Sequence, residues 1–226
     1  MPHPPAILKP HEPVAERVLL PGDPGRALRL AQLLITGPRM LNHHRGLWGY
    51  SGPAADGAPL TIQSSGLGGP SASAVVAELV GLGARRLIRV GTCAGLGDTG
   101  LGTVVVVRET IAADGASRAL GAGARVTPDP VLTAALAVAA GRTPALMATA
   151  DILDPVLART WNEAGAVAAD LSTAAVLVAA ARGGATAASV LGVTRAGDAV
   201  ADEAGLEALE RRLGEIAMAA LPVVAT

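Results

Sequence analysis

Short, uninterrupted apolar runs recur along the chain and predict the strands of a buried sheet. Each run is bounded by glycine, proline or charged residues, a pattern that is typical of strands covered on both faces. The predicted strands are Arg17–Leu20, Leu60–Ser64, Arg86–Val90, Thr103–Val107, Ala145–Ala148 and Ser189–Thr194.

Between these runs, apolar residues recur at the three- and four-residue spacing of amphipathic helices. Several helices are predicted to begin at an Asp-Pro pair, because aspartate caps free N–H groups and proline lacks one. The predicted helices begin at Asp23-Pro24 or span Ser71–Leu82, Asp129–Ala140, Asp154–Trp161, Asp170–Arg182 and Asp202–Leu221. This alternation predicts an α/β fold: one domain over residues 1–226, with a mixed, mainly parallel central sheet flanked by helices.

Two segments carry weaker patterns. Residues 112–123 are rich in glycine and alanine and are predicted to form a loop. The last predicted helix has an apolar side and a charged side, and we expect the charged side to be solvated. The charged residues are Glu203, Glu207, Glu210, Arg211, Arg212 and Glu215.

Composition excludes several classes of protein. The net charge is −1 with no long run of one sign, which disfavours a nucleic-acid-binding face. Cys93 is the only cysteine, so an intrachain disulfide and a cysteine-based metal site are excluded. The chain shows no membrane-length apolar stretch, and MPHPPAILKP does not resemble a signal peptide, so we expect a cytoplasmic location and no membrane partner.

Glycines and arginines follow the predicted strands, at the edge where α/β sheets bind ligands. Gly22 and Arg26 follow the first strand, a glycine-rich SGLGGPS segment follows the second, and Arg195 and Asp198 follow the last. Arg89 lies inside an apolar run, where a buried guanidinium must face an anion or a carboxylate. Backbone N–H groups, helix N-termini and arginine forks together indicate an oxyanion site.

Four segments, in order and spacing, resemble the hexameric purine nucleoside phosphorylase and uridine phosphorylase family, with the purine branch nearer. They are VAERVLLPGDPGRA, HHRGLWGYSG, SSGLGGPSA and ELVGLGARRLIRVGTCAG, and the segment ADLSTAAVLVAAARGGATAASVLGVTRAGD matches more weakly. The resemblance implies a nucleoside phosphorylase-like fold and a phosphate site formed by Gly22, Arg26, Arg89 and Thr92, with Arg45 contributed by a neighbouring subunit.

The same resemblance implies the reaction. Phosphate attacks C1′ of a nucleoside and the base leaves, which yields a free base and a pentose 1-phosphate. Inorganic phosphate is the co-substrate, and no metal or organic cofactor is expected. A site that borrows Arg45 from a neighbour implies a homo-oligomer of at least two chains, and the family implies a trimer of dimers.

The nucleoside half departs from the family pattern. Asp170-Leu171-Ser172 replaces a Glu-Met-Glu segment whose second glutamate holds the ribose hydroxyls, so these three residues are the candidate nucleoside-binding residues. Val193-Thr194-Arg195 stands where purine-type enzymes have the aspartate that protonates the base. With one residue deleted, Arg195 matches the arginine of an Asn-Arg pair found in some relatives, and Asp198 is the candidate for the role of the aspartate. The stacking aromatic residue is absent from Thr149–Leu153, and Ala6 stands where the family has a histidine.

These departures leave three hypotheses open. The chain is an active phosphorylase with an altered pocket, a degenerate paralogue that binds phosphate or a sugar phosphate with little turnover, or a non-catalytic structural or regulatory subunit. A hydrolytic nucleosidase is disfavoured, because Arg26, Arg45 and Arg89 would have no anion to bind. Cys93 has no histidine near in sequence and is interpreted as a small buried residue rather than a nucleophile.

Overall fold

A computed structural model describes residues 5–221, and this part of the chain forms one mixed β-sheet with helices on both faces. The α/β class predicted from the sequence is confirmed. The strands within this range are β1 Arg17–Pro21, β2 Arg39–Asn42, β3 Gly49–Pro53, β4 Pro59–Gln63, β5 Arg86–Gly95, β6 Val104–Ala113, β7 Arg125–Val126, β8 Ala145–Ala150, β9 Ala168–Asp170, β10 Thr186–Ala196 and β11 Ala199–Val200.

The helices follow the predicted starts closely. They are α1 Pro24–Leu34, α2 Gly68–Gly81, α3 Gly115–Ala119, α4 Pro130–Ala140, α5 Pro155–Glu163, α6 Thr173–Arg182 and α7 Glu203–Ala219. The Asp-Pro starts are confirmed: Asp23 Oδ1 accepts from Arg26 N at 2.7 Å, and Asp129 Oδ1 accepts from Leu132 N at 2.8 Å. These aspartates therefore define the helix entries through local capping.

Part of the sheet closes on itself. β5 pairs with β10, β10 with β6, β6 with β8, β8 with β9, and β9 with β5. From this ring the sheet continues through β1, β4, β3 and β2, with parallel β5–β1–β4 pairing and antiparallel pairing at the outer strands. Because β4, β1, β5 and β10 pair in parallel, their carboxyl ends lie at one edge of the sheet.

Two apolar cores lie on opposite faces of this sheet. One contains Leu30, Leu136 and Leu213 from α1, α4 and α7, and the other contains Val76 and Val176 from α2 and α6. Burying these side chains supplies the main driving force for folding. No helix between residues 5 and 221 combines the length and hydropathy needed to cross a bilayer.

The central strands are longer than predicted, which changes the surroundings of the candidate residues. β5 continues past Val90 to Gly95, because β9 pairs with Ala94 and Gly95 after β1 has ended. β5 is therefore five residues longer than the predicted strand, which ends at Val90. β10 extends to Ala196, so Arg195 lies on a strand that pairs with β11 rather than in a loop.

Two predicted segments have a different local structure. The predicted loop 112–123 contains α3, because Asp114 caps it by accepting from Ser117 N at 2.7 Å. The predicted helix Asp170–Arg182 begins only at Thr173, because residues 168–170 form β9 between β5 and β8. Asp170 is thus the last residue of a strand.

The close packing around Gly95, at the end of β5, gives a prediction on stability. A Cβ added to Gly95 would collide with the backbone carbonyl of Thr99, whereas a Cβ added to Gly100 meets no atom within 4 Å among the described residues. We expect Gly95→Ala to lower the free energy of unfolding by about 1–3 kcal/mol, since the backbone must move. Gly100→Ala is the matched control and should unfold at nearly the wild-type urea concentration. Equal unfolding midpoints for the two variants would contradict this packing.

Candidate functional site

A cavity of about 730 Å³ opens where the carboxyl ends of the central strands meet. Four predicted phosphate-binding residues line it: Gly22, Arg26, Arg89 and Thr92. It is also lined by the predicted nucleoside-binding residues Asp170, Leu171 and Ser172, and by Arg195. The structure thus brings together eight of the ten residues selected from the sequence.

Two predicted residues lie outside this cavity. Asp198 is exposed in the turn between β10 and β11 and does not line the cavity. Its predicted catalytic role therefore gains no support from its position. Arg45 is exposed in a turn at His44–Gly46, with a left-handed φ of 59°. Its contribution to a neighbouring subunit's site stays a prediction.

The loops after β1 and β4 form one wall of the cavity. Ser65 N donates to Pro21 O at 2.8 Å and Gly66 N donates to Gly22 O at 3.0 Å, so the two loops are joined by their backbones. Gly66 has φ of 75°, and a Cβ there would collide with Ser71 Oγ. The left-handed φ and the contact with Ser71 explain why position 66 is a glycine.

Arg89 is the central cation of the cavity and is only 5% exposed. Its Nη2 and Nε donate to Asp170 Oδ2 at 2.9 and 3.2 Å, and Nε also lies 3.2 Å from Thr173 Oγ1. The sequence required an anion or a carboxylate opposite Arg89, and the structure supplies Asp170. Nη1 of Arg89 is buried and has no hydrogen-bond partner within residues 5–221. An unpartnered buried donor is costly, so it marks a place where a ligand acceptor would be favoured.

Asp170 is held from several sides. Its Oδ1 accepts from Thr149 Oγ1 at 2.9 Å, and its Oδ2 accepts from Thr173 Oγ1 at 2.8 Å. Thr173 N also lies within hydrogen-bond distance of both oxygens, at 3.2 and 3.1 Å. These donors occupy the carboxylate, so its contacts favour the positioning of Arg89 over the predicted binding of a sugar.

Arg26 is held by a buried acid, Glu210, on the last helix. Its Nε donates to Glu210 Oε1 at 2.8 Å, and Glu210 also pairs with Arg29. Glu210 is 2% exposed, so its predicted place on the solvated face of the last helix is wrong. Its spacing from Leu206 and Leu213 puts it on the apolar side of α7, and this was the signal for a buried acid.

Cys93 lines the cavity but is suited to packing. Burial raises the pKa of its thiol strongly, the nearby Asp170 carboxylate raises it further, and Arg89 opposes these effects. A thiol that stays protonated is a poor nucleophile. The interpretation of Cys93 as a buried, unreactive residue is consistent with this environment.

The far side of the cavity has few means of binding an aromatic ring. No aromatic side chain lines it within the described part of the chain, and Ile152 and Leu153 occupy the place of the expected stacking residue. Ser172 is buried before α6 and makes no capping hydrogen bond. The predicted phosphate-binding residues thus follow the expected pattern more closely than the predicted nucleoside-binding residues do.

The Arg89–Asp170 pair gives a prediction on stability. Arg89→Met leaves the Asp170 carboxylate buried without its cation, and we expect the free energy of unfolding to fall by about 3–5 kcal/mol. Adding Asp170→Asn should recover part of this loss, because the uncompensated charge is gone. Urea unfolding of the two single variants and the double variant measures the coupling. Strictly additive losses would contradict a direct interaction.

The environment of Cys93 gives a prediction on reactivity. We expect the folded protein at pH 8 to resist alkylation by iodoacetamide, because the raised pKa keeps the thiol protonated and burial blocks access. Mass spectrometry after labelling in urea should show complete modification of this cysteine. Rapid labelling of the folded protein would contradict the buried environment.

Comparison with known proteins agrees with this geometry. Residues 16–225 match the family model described as phosphorylase superfamily. A DeoD-type purine nucleoside phosphorylase of Geobacillus kaustophilus is 34% identical over 192 residues, which cover 80% of this chain and 81% of that protein.

Two other relatives match over shorter stretches. A DeoD-type purine nucleoside phosphorylase of Latilactobacillus sakei is 45% identical over 105 residues, 46% of this chain and 42% of the relative, so this match spans less than half of that protein. A uridine phosphorylase of Treponema pallidum is 38% identical over 129 residues, 56% of this chain and 49% of the relative. The match over residues 16–225, together with the extended similarity to the Geobacillus protein, shows that the chain belongs to the phosphorylase superfamily.

Proposed function

We propose that this protein is a nucleoside phosphorylase, a pentosyltransferase that uses inorganic phosphate to cleave the N-glycosidic bond of a nucleoside, with purine nucleosides as the first class to test. The observation that carries the proposal is the buried Nη1 of Arg89, which lacks a partner among the described residues although the rest of the guanidinium is paired. A phosphate oxygen would supply the missing acceptor. The relatives that bear phosphorylase names support the same reaction class.

The proposed phosphate site draws on three kinds of group. Arg26 and Arg89 supply guanidinium donors whose orientations are held by Glu210 and Asp170. Thr92 supplies a half-buried hydroxyl from the middle of β5. Gly22 has no side chain, so the backbone of the loop after β1 can approach the proposed phosphate closely. Orientation by buried acids limits the motion of both arginines, so little reorganisation is needed when phosphate binds.

In the proposed reaction, an oxygen of the phosphate dianion attacks C1′ while the bond from C1′ to the base nitrogen breaks. The electron pair of that bond leaves with the base, and the pentose retains the phosphate as a 1-phosphate ester. Positive charge develops on the sugar ring during this displacement, and the adjacent phosphate stabilises it. The arginines keep the phosphate in place and in line, which lowers the entropic part of the barrier.

A phosphate-binding paralogue with little turnover is the second candidate. It is favoured by the lack of aromatic lining residues within the described chain and by Ser172 in the place of a ribose-binding glutamate. A base that stacks on an aromatic ring gains about 1–3 kcal/mol in nucleic-acid complexes, and this gain is not offered here. The proposed homo-oligomer, in which Arg45 of one chain completes the site of another, would apply to both candidates.

The test is a panel of nucleosides incubated with and without phosphate. Inosine, guanosine, adenosine, uridine and their 2′-deoxy forms would be supplied, and free base and pentose 1-phosphate would be measured. We expect base release only when phosphate is present, with equal amounts of base and pentose 1-phosphate. Arg89→Lys should lower kcat/KM about 10²-fold or more, because a single ammonium cannot reproduce the donor set.

Arg142→Gln is the matched control, since Arg142 is exposed and does not line the cavity. Base release without phosphate would identify a hydrolase and overturn the proposal. If phosphate raises the melting temperature, Arg89→Lys removes that shift, and no nucleoside is cleaved, the phosphate-binding paralogue is the correct assignment.

A further inference from the structure

We propose that the leaving group of this enzyme's substrate is negatively charged at neutral pH and that Arg195 binds it. This inference rests on the proposed phosphorolysis and specifies its substrate class. It starts from the one cavity arginine, among the described residues, for which no acid partner is found.

Arg195 is fixed by its strand although its side chain is exposed. It pairs with Val200 of β11 and with Ala94 of β5, and the register of β10 shifts between Val193 and Arg195. Such a shift is typical of a β-bulge, which changes the direction of a side chain at a site. The side chain therefore reaches the cavity from a defined backbone position.

The other two cavity arginines are already balanced by acids. Arg26 pairs with Glu210 and Arg89 pairs with Asp170, whereas no carboxylate oxygen within residues 5–221 lies within 4.0 Å of Arg195.

Two further acids line the cavity, and both have other contacts. Asp23 accepts from Arg26 N at 2.7 Å, and Asp151 accepts from Gly115 N at 2.8 Å. Arg195 thus keeps its positive charge available to a ligand.

Arg195 also lies beyond the proposed phosphate-binding residues of β5. It is level with Ala94, which follows Thr92 by two residues and Arg89 by five. Along this strand, Arg195 therefore comes after both residues that would hold the phosphate. The group that meets Arg195 is therefore the other end of the substrate, which is the base that leaves C1′.

The chemistry of arginine selects the kind of base. A guanidinium stays protonated at neutral pH and cannot act as a general acid, but it stabilises negative charge through two parallel hydrogen bonds. The phosphate dianion that attacks C1′ brings two negative charges. For a substrate whose base already carries one negative charge, the 1-phosphate product keeps both charges of the phosphate, and the proton of the attacking phosphate passes through solvent to the ring nitrogen that leaves C1′. The base therefore departs as a monoanion, which Arg195 can bind without donating a proton.

The lining of the cavity favours the same class of ligand. With no aromatic side chain in the described lining, a flat neutral base finds little to stack on. A carboxylate or an ionised ring nitrogen would instead be recognised by charge. The inferred substrates are nucleosides whose base carries such a group, and ordinary neutral nucleosides should react poorly.

Orotidine and uridine form the main test pair, because they differ by one carboxylate on the base. Xanthosine, whose ring loses a proton near neutral pH, and inosine form the second pair. With saturating phosphate, we expect kcat/KM to be about 10- to 100-fold higher for the anionic member of each pair. Arg195→Gln should lower kcat/KM more for the anionic member of each pair than for the neutral member and so remove this preference, and Arg142→Gln should keep the preference.

The outcomes separate this inference from the proposed function. Phosphate-dependent cleavage of neutral nucleosides at equal or higher rates would overturn the inference and leave the phosphorolysis intact. An equal loss for anionic and neutral substrates in Arg195→Gln would also overturn it.

If no nucleoside yields a pentose 1-phosphate, the proposed function fails and binding becomes the readout. Orotidine, with phosphate present, should then raise the melting temperature more than uridine does, and Arg195→Gln should abolish the difference. The absence of any difference would overturn the inference.

Discussion

The buried ion pair between Arg89 and Asp170 is the interaction on which the site depends. It joins β5 to β9 and, through Thr173, to the start of α6, so three elements meet at one carboxylate. A guanidinium at this depth is tolerated only because that carboxylate compensates it, and the pair in turn is tolerated because the threonines satisfy the oxygens. Nη1 of Arg89 has no hydrogen-bond partner among the described residues, and the proposed phosphate would supply one.

The same arrangement occurs at Arg26, where Glu210 of α7 compensates a second buried cation. In both cases an acid behind the arginine fixes its direction and leaves part of the guanidinium to the cavity. Neither acid therefore blocks the cavity. Together they compensate two buried positive charges that line a cavity of about 730 Å³.

The two halves of the cavity are formed by different kinds of structural element. The proposed phosphate half consists of strand ends, glycines and paired arginines on the buried elements β1, α1 and β5. The opposite half consists of Leu171, Ser172, Ile152 and Leu153 on connecting segments, together with Arg195 on a bulged strand. Connecting segments tolerate substitution more readily than buried strands, so a family fold can keep its anion site while the specificity of the other half changes.

The sequence by itself determined the features that depend on near neighbours. Helix entries at Asp23, Asp129 and Asp154 follow from capping by adjacent residues, and the alternation of apolar runs is sufficient for the α/β class. The need for a negative partner at Arg89 also followed from its apolar surroundings. The tertiary structure decided which acids serve: Asp170 is 81 residues away from Arg89, and Glu210 is 184 residues away from Arg26. Local preference acts over a few residues, whereas ion pairing depends on distance in space. The pairing of β5 with β9 brings Asp170 to Arg89, and the packing of α7 against α1 brings Glu210 to Arg26.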